Sequence, residues 1–172
     1  MSKKIAVIGT GANGSCAAAD LERAGCDVVM IDQWPAHIEK VRADGLRIKM
    51  PDEELHVRPR AWHLADVCTL HEKWDLVFLM VKAYDTRWAT EFIKPHLAED
   101  GMVIGIQNAM TAGEIADIVG RERTLGCVVE LSPEIFEPGI VQRNTPPERT
   151  FRPKSSKARP SLVWLSASAA AT

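Results

Sequence analysis

Apolar positions along the chain switch between two periods, and the switch repeats. Short runs such as Ile5-Ala-Val-Ile8 and Leu76-Val-Phe-Leu-Met-Val81 are continuously apolar, as strands buried on both faces must be. Between them, apolar residues recur at three- and four-residue spacing, the mark of helices that pack by one face. The pattern predicts strands over 4–8, 27–31, 75–81, 102–106 and 124–131, and helices over 12–24, 35–43, 84–97 and 111–119. Pro35 suits a first helical turn, and Gly25 and Gly45 suit helix stops. Strand and helix in alternation predict an α/β fold: a doubly wound, mostly parallel sheet with helices on both faces. Segments 46–50 and 55–59 alternate apolar and charged residues across Pro51-Asp-Glu-Glu54 and read as a surface hairpin. Residues 139–143 read as a final, antiparallel edge strand.

The first strand runs directly into Gly9-Thr-Gly-Ala-Asn-Gly14. A bare G-x-G-x-x-G is a weak signal. Here it follows a strand, opens a helix, and is followed by a second strand ending at Asp32. That context is what dinucleotide binding requires, and it makes the expected fold Rossmann-type. Gly9 permits the tight turn, Gly11 lets backbone approach a diphosphate, and Gly14 lets helix and strand pack closely. With Thr10, Ala12 and Asn13 they form the expected cofactor loop, whose free helix N–H groups would face phosphate charge.

The periodicity ends near Asn144. Residues 145–172 bring a proline-rich basic run, Phe151-Arg-Pro-Lys-Ser-Ser-Lys-Ala-Arg-Pro160, and an alanine–serine tail. Little apolar surface is offered there to offset ordering entropy, apart from Leu162-Val-Trp-Leu165. The expected division is a dinucleotide-binding domain over 1–144 and a loosely docked or disordered tail over 145–172.

Composition narrows the partners. With 172 residues, 46% hydrophobic, 26% charged and a net charge of −2, the chain reads as one ordinary globular domain. Neither nucleic acid nor an anionic membrane is expected to attract it. No stretch approaches a membrane span or a secretory signal core, so a cytoplasmic location is expected. Cys16, Cys26, Cys68 and Cys127 form no close pair and read as reduced, mostly buried thiols. No spacing of histidines and cysteines predicts a metal site.

Three side chains stand where open α/β sheets bind ligands, at the carboxyl ends of strands. Asp32 can accept hydrogen bonds from both hydroxyls of an adenosine ribose and would repel a 2′-phosphate, which favours NAD(H). Gln33 and Trp34, next in line, supply no cation for that phosphate. Asp32 can equally cap the following helix. Lys82 can reach a cofactor phosphate or ribose as a point charge, or be merely a solvated strand-end lysine. Asn108 can hold a nicotinamide ribose or substrate oxygen, or cap the helix that follows. For Glu130, Glu134, Glu137, His37, His63, His71 and His96 the sequence places no partner.

Gly9-x-Gly-Ala-x-Gly14, Pro35-Ala-His-Ile-Glu-Lys-Val-Arg-Ala-Asp-Gly-Leu46, Val81-Lys-Ala-Tyr-Asp-Thr86 and Gln107-Asn-Ala-Met110 together resemble the amino-terminal domain of ketopantoate reductases (2-dehydropantoate 2-reductases) over about residues 4–144. The resemblance implies an oxidoreductase that uses NADP(H) to reduce a small 2-keto acid in pantothenate biosynthesis. It implies diphosphate binding by Gly9 to Gly14, a cofactor contact from Lys82, and cofactor and substrate contacts from Asn108. Two departures modify the expectation. Asp32-Gln-Trp34 stands where the family usually carries a basic residue, so NAD(H) is favoured by chemistry and NADP(H) by resemblance. The family also continues into a helical domain that supplies its catalytic lysine, and this sequence does not. Truncation or a frame change near Thr150 is therefore expected, leaving a chain that binds a dinucleotide but turns over weakly alone. The alternatives are a non-catalytic NAD(H)-sensing domain and a partner-binding half. The sheet-domain face left uncovered is expected to favour self-association.

Overall fold

In the computed structural model, which describes residues 3–145 and the backbone of residues 151–153, the apolar runs become one central sheet. Strand β1 (Lys4–Ile8) leads to helix α1 (Ala12–Arg23), strand β2 (Asp27–Asp32) and helix α2 (Pro35–Asp44). A hairpin, β3 (Leu46–Lys49) and β4 (Glu54–Val57), precedes β5 (Arg60–His63). Then come β6 (Trp74–Leu79), α3 (Thr86–Ile93), β7 (Leu97–Ile106), α4 (Ala112–Val119) and β8 (Thr124–Val129). Strands β9 (Pro133–Glu137), β10 (Ile140–Arg143) and β11 (Phe151–Pro153) close the described chain.

The order β5-β2-β1-β6-β7-β8 is parallel throughout, with β11 antiparallel outside β8. This is the Rossmann-type, doubly wound sheet that the alternation predicts. Side chains of β1 divide between its faces: Ile5 and Val7 join the core under α1 and α2, while Ala6 and Ile8 join the core under α3 and α4. Continuous apolar strands are thus explained, because each face is covered. Strand order reverses between β1 and β6, the switch point at which such sheets open a ligand crevice.

Most differences from expectation lie at the periphery, although central β7 also begins at Leu97 rather than at 102. The predicted hairpin is present as β3 and β4. Residues 140–143, expected at an antiparallel edge, instead sit inside a second four-stranded sheet ordered β4-β3-β10-β9. There β10 runs parallel to β3 and antiparallel to β9. Its inner residues explain the place: Val141 is fully buried in the α1 core, and buried Arg143 donates to Asp20 of α1 at 2.8 Å. Strands β5 and β9 carry no clean alternation, and each is made by pairing to a stronger neighbour. The helix expected over 84–97 is shorter, α3 being flanked by single 3₁₀ turns at Ala83–Asp85 and Lys94–His96. Cys16 and Cys127 are buried, Cys26 is half-buried and Cys68 is exposed, so burial of the thiols is less general than expected. Backbone pairing of β11 with β8 falls within the 145–172 segment; the rest of that segment from residue 146 on, including 162–165, lies outside the described residues.

Candidate functional site

The turn from β1 into α1 shows why its glycines are glycines. Gly9 has φ +85°, and a Cβ there would lie 2.7 Å from the Val81 amide nitrogen. A Cβ on Gly14 would lie 2.2 Å from the Gly9 carbonyl oxygen, so the helix can sit this close to the loop only without a side chain. Gly11 has open space on its Cβ side. It is also the N-cap of α1, with no side-chain cap and no acidic residue in the first turn. Helices usually satisfy their first N–H groups with a Ser, Thr, Asp or Asn cap. Here those amides are left to whatever enters the space beside them.

That space is a cleft of about 700 Å³ at the switch point, bordered by the loop, the ends of β2, β6 and β7, and the segments that follow them. Gly9, Gly11, Ala12, Asn13, Gly14, Asp32, Lys82 and Asn108 all line it. Thr10 differs from the expected set. Its side chain is fully buried, it does not line the cleft, and its hydroxyl has no hydrogen-bond partner among the described residues. The Thr10 carbonyl instead accepts a bond from the Ser15 hydroxyl at 2.7 Å, which ties the loop down from behind.

Asp32 combines both of its sequence readings. One carboxylate oxygen accepts the Trp34 N–H at 2.9 Å and so shapes the entry to α2, while the residue still borders the cleft. Trp34, about one-third exposed, lies over the His37 ring with centroids 5.4 Å apart and planes within 16°. Lys82, which follows β6 across the switch point, is the one lysine or arginine among the described cleft-lining residues. Asn108 is exposed, and Thr111, not Asn108, is the N-cap of α4.

Gln107 is the residue that sequence reasoning overlooks. Almost fully buried, it donates from Nε2 to the Val81 carbonyl at 3.0 Å and to the Thr86 hydroxyl at 2.8 Å. Its Oε1 accepts from the Thr111 hydroxyl at 2.5 Å. One amide thus joins the end of β6, the start of α3 and the start of α4, and fixes the two strand ends that present Lys82 and Asn108. Its sequence signal was membership of the Gln107-Asn-Ala-Met110 motif, which assigned it no role; the partners are brought in by topology. Two of the unassigned histidines gain partners: His63 lies 2.7 Å from Glu39, and His96 packs on Trp74. Cys16 lies in the α1 core, and burial pushes its thiol up to about 12, which keeps it protonated and unreactive. Among the described residues there is no cluster of three or more potential metal ligands, and no helix is long and apolar enough to cross a membrane.

Comparison with known proteins gives one family. The family model "Ketopantoate reductase PanE/ApbA" matches residues 5–155. A 2-dehydropantoate 2-reductase of Lactococcus lactis is 32% identical over 62% of this chain and 34% of its own length. One from Mesorhizobium japonicum is 29% identical over 81% of this chain and 48% of its own. The crystal structure of a PanE/ApbA family ketopantoate reductase from Ralstonia eutropha superposes with a TM-score of 0.83 at 27% identity, over 96% of this chain and 54% of that one. The chain therefore spans about a third to a half of the length of these relatives. Its matched region, from β1 through β11, carries the glycine loop, the Lys82 strand end and the Asn108 strand end in one cleft, and the chain belongs to the ketopantoate reductase PanE/ApbA family.

Proposed function

We propose that the cleft binds a nicotinamide dinucleotide, NADH in preference to NADPH, and that in the whole protein this domain presents the cofactor to a small 2-keto acid. The observation that carries the reading is the α1 N-terminus, which has no side-chain cap and opens beside Gly11 into the cleft. Its first-turn amides and the positive end of the helix suit a diphosphate. The glycine cradle fits such a group: the two positions that must lack a Cβ hold the loop flat, and the third faces free space.

Asp32 would take the adenosine ribose hydroxyls with the carboxylate oxygen that Trp34 leaves free. A 2′-phosphate there would meet a like charge, which supports NADH. Lys82 and Asn108, on strand ends joined by Gln107, would hold the nicotinamide half. The bound cofactor supplies the hydride; the chain's part is to bind it, orient it and leave one face toward the keto carbon. A keto oxygen that gains negative charge needs a positioned proton donor. Lys82 and Tyr84, the cationic and phenolic groups at the cleft, are both exposed, and Asp85 is engaged by the Trp88 indole N–H at 2.6 Å. This supports slow turnover by this chain alone, even with a dinucleotide bound. Exposed Tyr84, Met110 and Phe136 support a tendency to self-associate.

Calorimetry with NADH and NADPH on the wild type and on Asp32→Ala tests the reading. NADH is expected to bind about tenfold more tightly to the wild type, with the gap closing in the variant. Tighter NADPH binding to the wild type would reverse the role given to Asp32. Rapid reduction of ketopantoate by the isolated chain would refute the claim of slow turnover.

A further inference from the structure

Outside the cleft, buried polar groups gather along one seam between α1, α2 and the β9–β10 turn. His37 of α2 is fully buried there, and so are Ser15 and Thr10. Its Nδ1 accepts the Gly139 N–H at 3.0 Å, and its Nε2 lies 3.1 Å from the Ser15 hydroxyl oxygen. The Ser15 hydroxyl donates its hydrogen to the Thr10 carbonyl at 2.7 Å. The directions are therefore fixed. Ser15 has spent its hydrogen on Thr10, so it accepts from His37 Nε2–H, and His37 is neutral with its free lone pair on Gly139. A four-member chain thus runs from the second sheet to the backbone of the cofactor loop.

Resting on the dinucleotide reading of the cleft, we propose that His37 is a positioning residue: it locks the Thr10 carbonyl through Ser15, and its protonation loosens the loop and weakens dinucleotide binding. A second proton would go to Nδ1, where it faces the Gly139 N–H, leaving two donors head to head. The turn has little room to yield, because a Cβ on Gly139 would lie only 2.7 Å from Lys40 Cγ. The charged groups at the seam come from every side. Asp32 at the end of β2 favours the protonated ring, Lys40 lies one turn on along α2, and the Asp20–Arg143 pair joins α1 to β10. Burial outweighs Asp32 and holds His37 below the usual imidazole range. A folded-state value below the unfolded one means the lock is intact above the ordinary imidazole pKa. It is lost as pH falls through the folded value.

The test uses the full chain: NADH affinity by calorimetry from about pH 8 to about 5, a window that reaches below ordinary imidazole titration, on wild type, His37→Gln, His37→Ala and Ser15→Ala, with thermal melts to confirm folding. Wild-type affinity is expected to fall about tenfold across that range, the scale of one lost hydrogen bond. Glutamine can accept from Gly139 and donate to Ser15 without titrating, so His37→Gln should bind more tightly than His37→Ala and show a flatter pH profile. A wild-type pH slope retained in His37→Gln, or wild-type affinity in His37→Ala, would overturn the proposal. Amide shifts of Gly139 and Thr10 in the ligand-free protein separate this idea from the reading beneath it. If they titrate together with the His37 ring, the chain of bonds operates even where NADH fails to bind, and the cleft reading alone is lost; if they move independently, the relay is refuted whatever binds.

Discussion

The two halves of the cleft are built in opposite ways. On the β1–α1–β2 side, key groups that border the ligand space are held from behind. Gly9 and Gly14 leave no slack, Ser15 holds the Thr10 carbonyl, and Asp32 is tied to the entry of α2. On the β6–β7 side, a single buried amide, Gln107, joins the strand ends, while Lys82, Tyr84, Asn108 and Met110 above it stand exposed. The side proposed to hold a diphosphate is thus braced from behind, and the side proposed to meet substrate is braced below but open above. A rigid, backbone-made half suits a group common to every dinucleotide, whereas side-chain groups on strand ends suit a variable reactant.

Breaking the rigid half should have the largest effect. Gly14→Ala forces a methyl group to within 2.2 Å of the Gly9 carbonyl. It should cost about 3 kcal/mol of stability by overpacking and remove NADH binding. Gly25→Ala, at a positive φ but with open space on its Cβ side, should cost only about 1 kcal/mol and leave binding intact. Denaturant melts and calorimetry on the pair separate crowding at the loop from backbone strain elsewhere.

Asp20→Ala comes close behind in stability and should differ in binding. It leaves Arg143 buried with its 2.8 Å partner gone, a loss of about 3 kcal/mol. NADH affinity should change little, because the link from the second sheet to the loop runs through Gly139, His37 and Ser15 and not through Arg143. Gln107→Ala breaks the brace of the open half. Its lost bonds to Val81, Thr86 and Thr111 should cost about 2 kcal/mol. The Lys82 and Asn108 segments should also exchange amide hydrogens faster, while the α1 amides keep their protection. Smallest in stability, Lys82→Ala should leave the melting curve unchanged and weaken NADH binding about tenfold by removing one charge-assisted contact.

The parts of this molecule that the sequence makes readable are those fixed by local chemistry. Continuous apolar runs gave β1, β2 and β6 within a residue or two at most ends, because burial on both faces leaves no polar position. The glycine loop was readable because its spacing between one strand and one helix is local and Gly14 meets Gly9, although Gly9 itself is crowded by Val81, far along the chain. The second sheet was only half visible. β3 and β4 announce a hairpin, but β9 and β10 acquire their place by pairing with β3, far away along the chain. Gln107 and His37 were invisible as site residues for the same reason. His37 bonds Ser15 and Gly139, separated from it by 22 and 102 positions, and no periodicity encodes such a meeting.

The claim beneath all of this is that a diphosphate lies on the uncapped amides of α1. A ¹⁵N NMR titration of the folded chain with NADH addresses it most directly. The amides of Gly11, Ala12, Asn13 and Gly14 are expected to show the largest shifts, with smaller ones at Asp32, Lys82 and Asn108 around the same cleft. A well-dispersed spectrum in which saturating NADH moves none of the four loop amides, or moves residues away from the cleft instead, would contradict it.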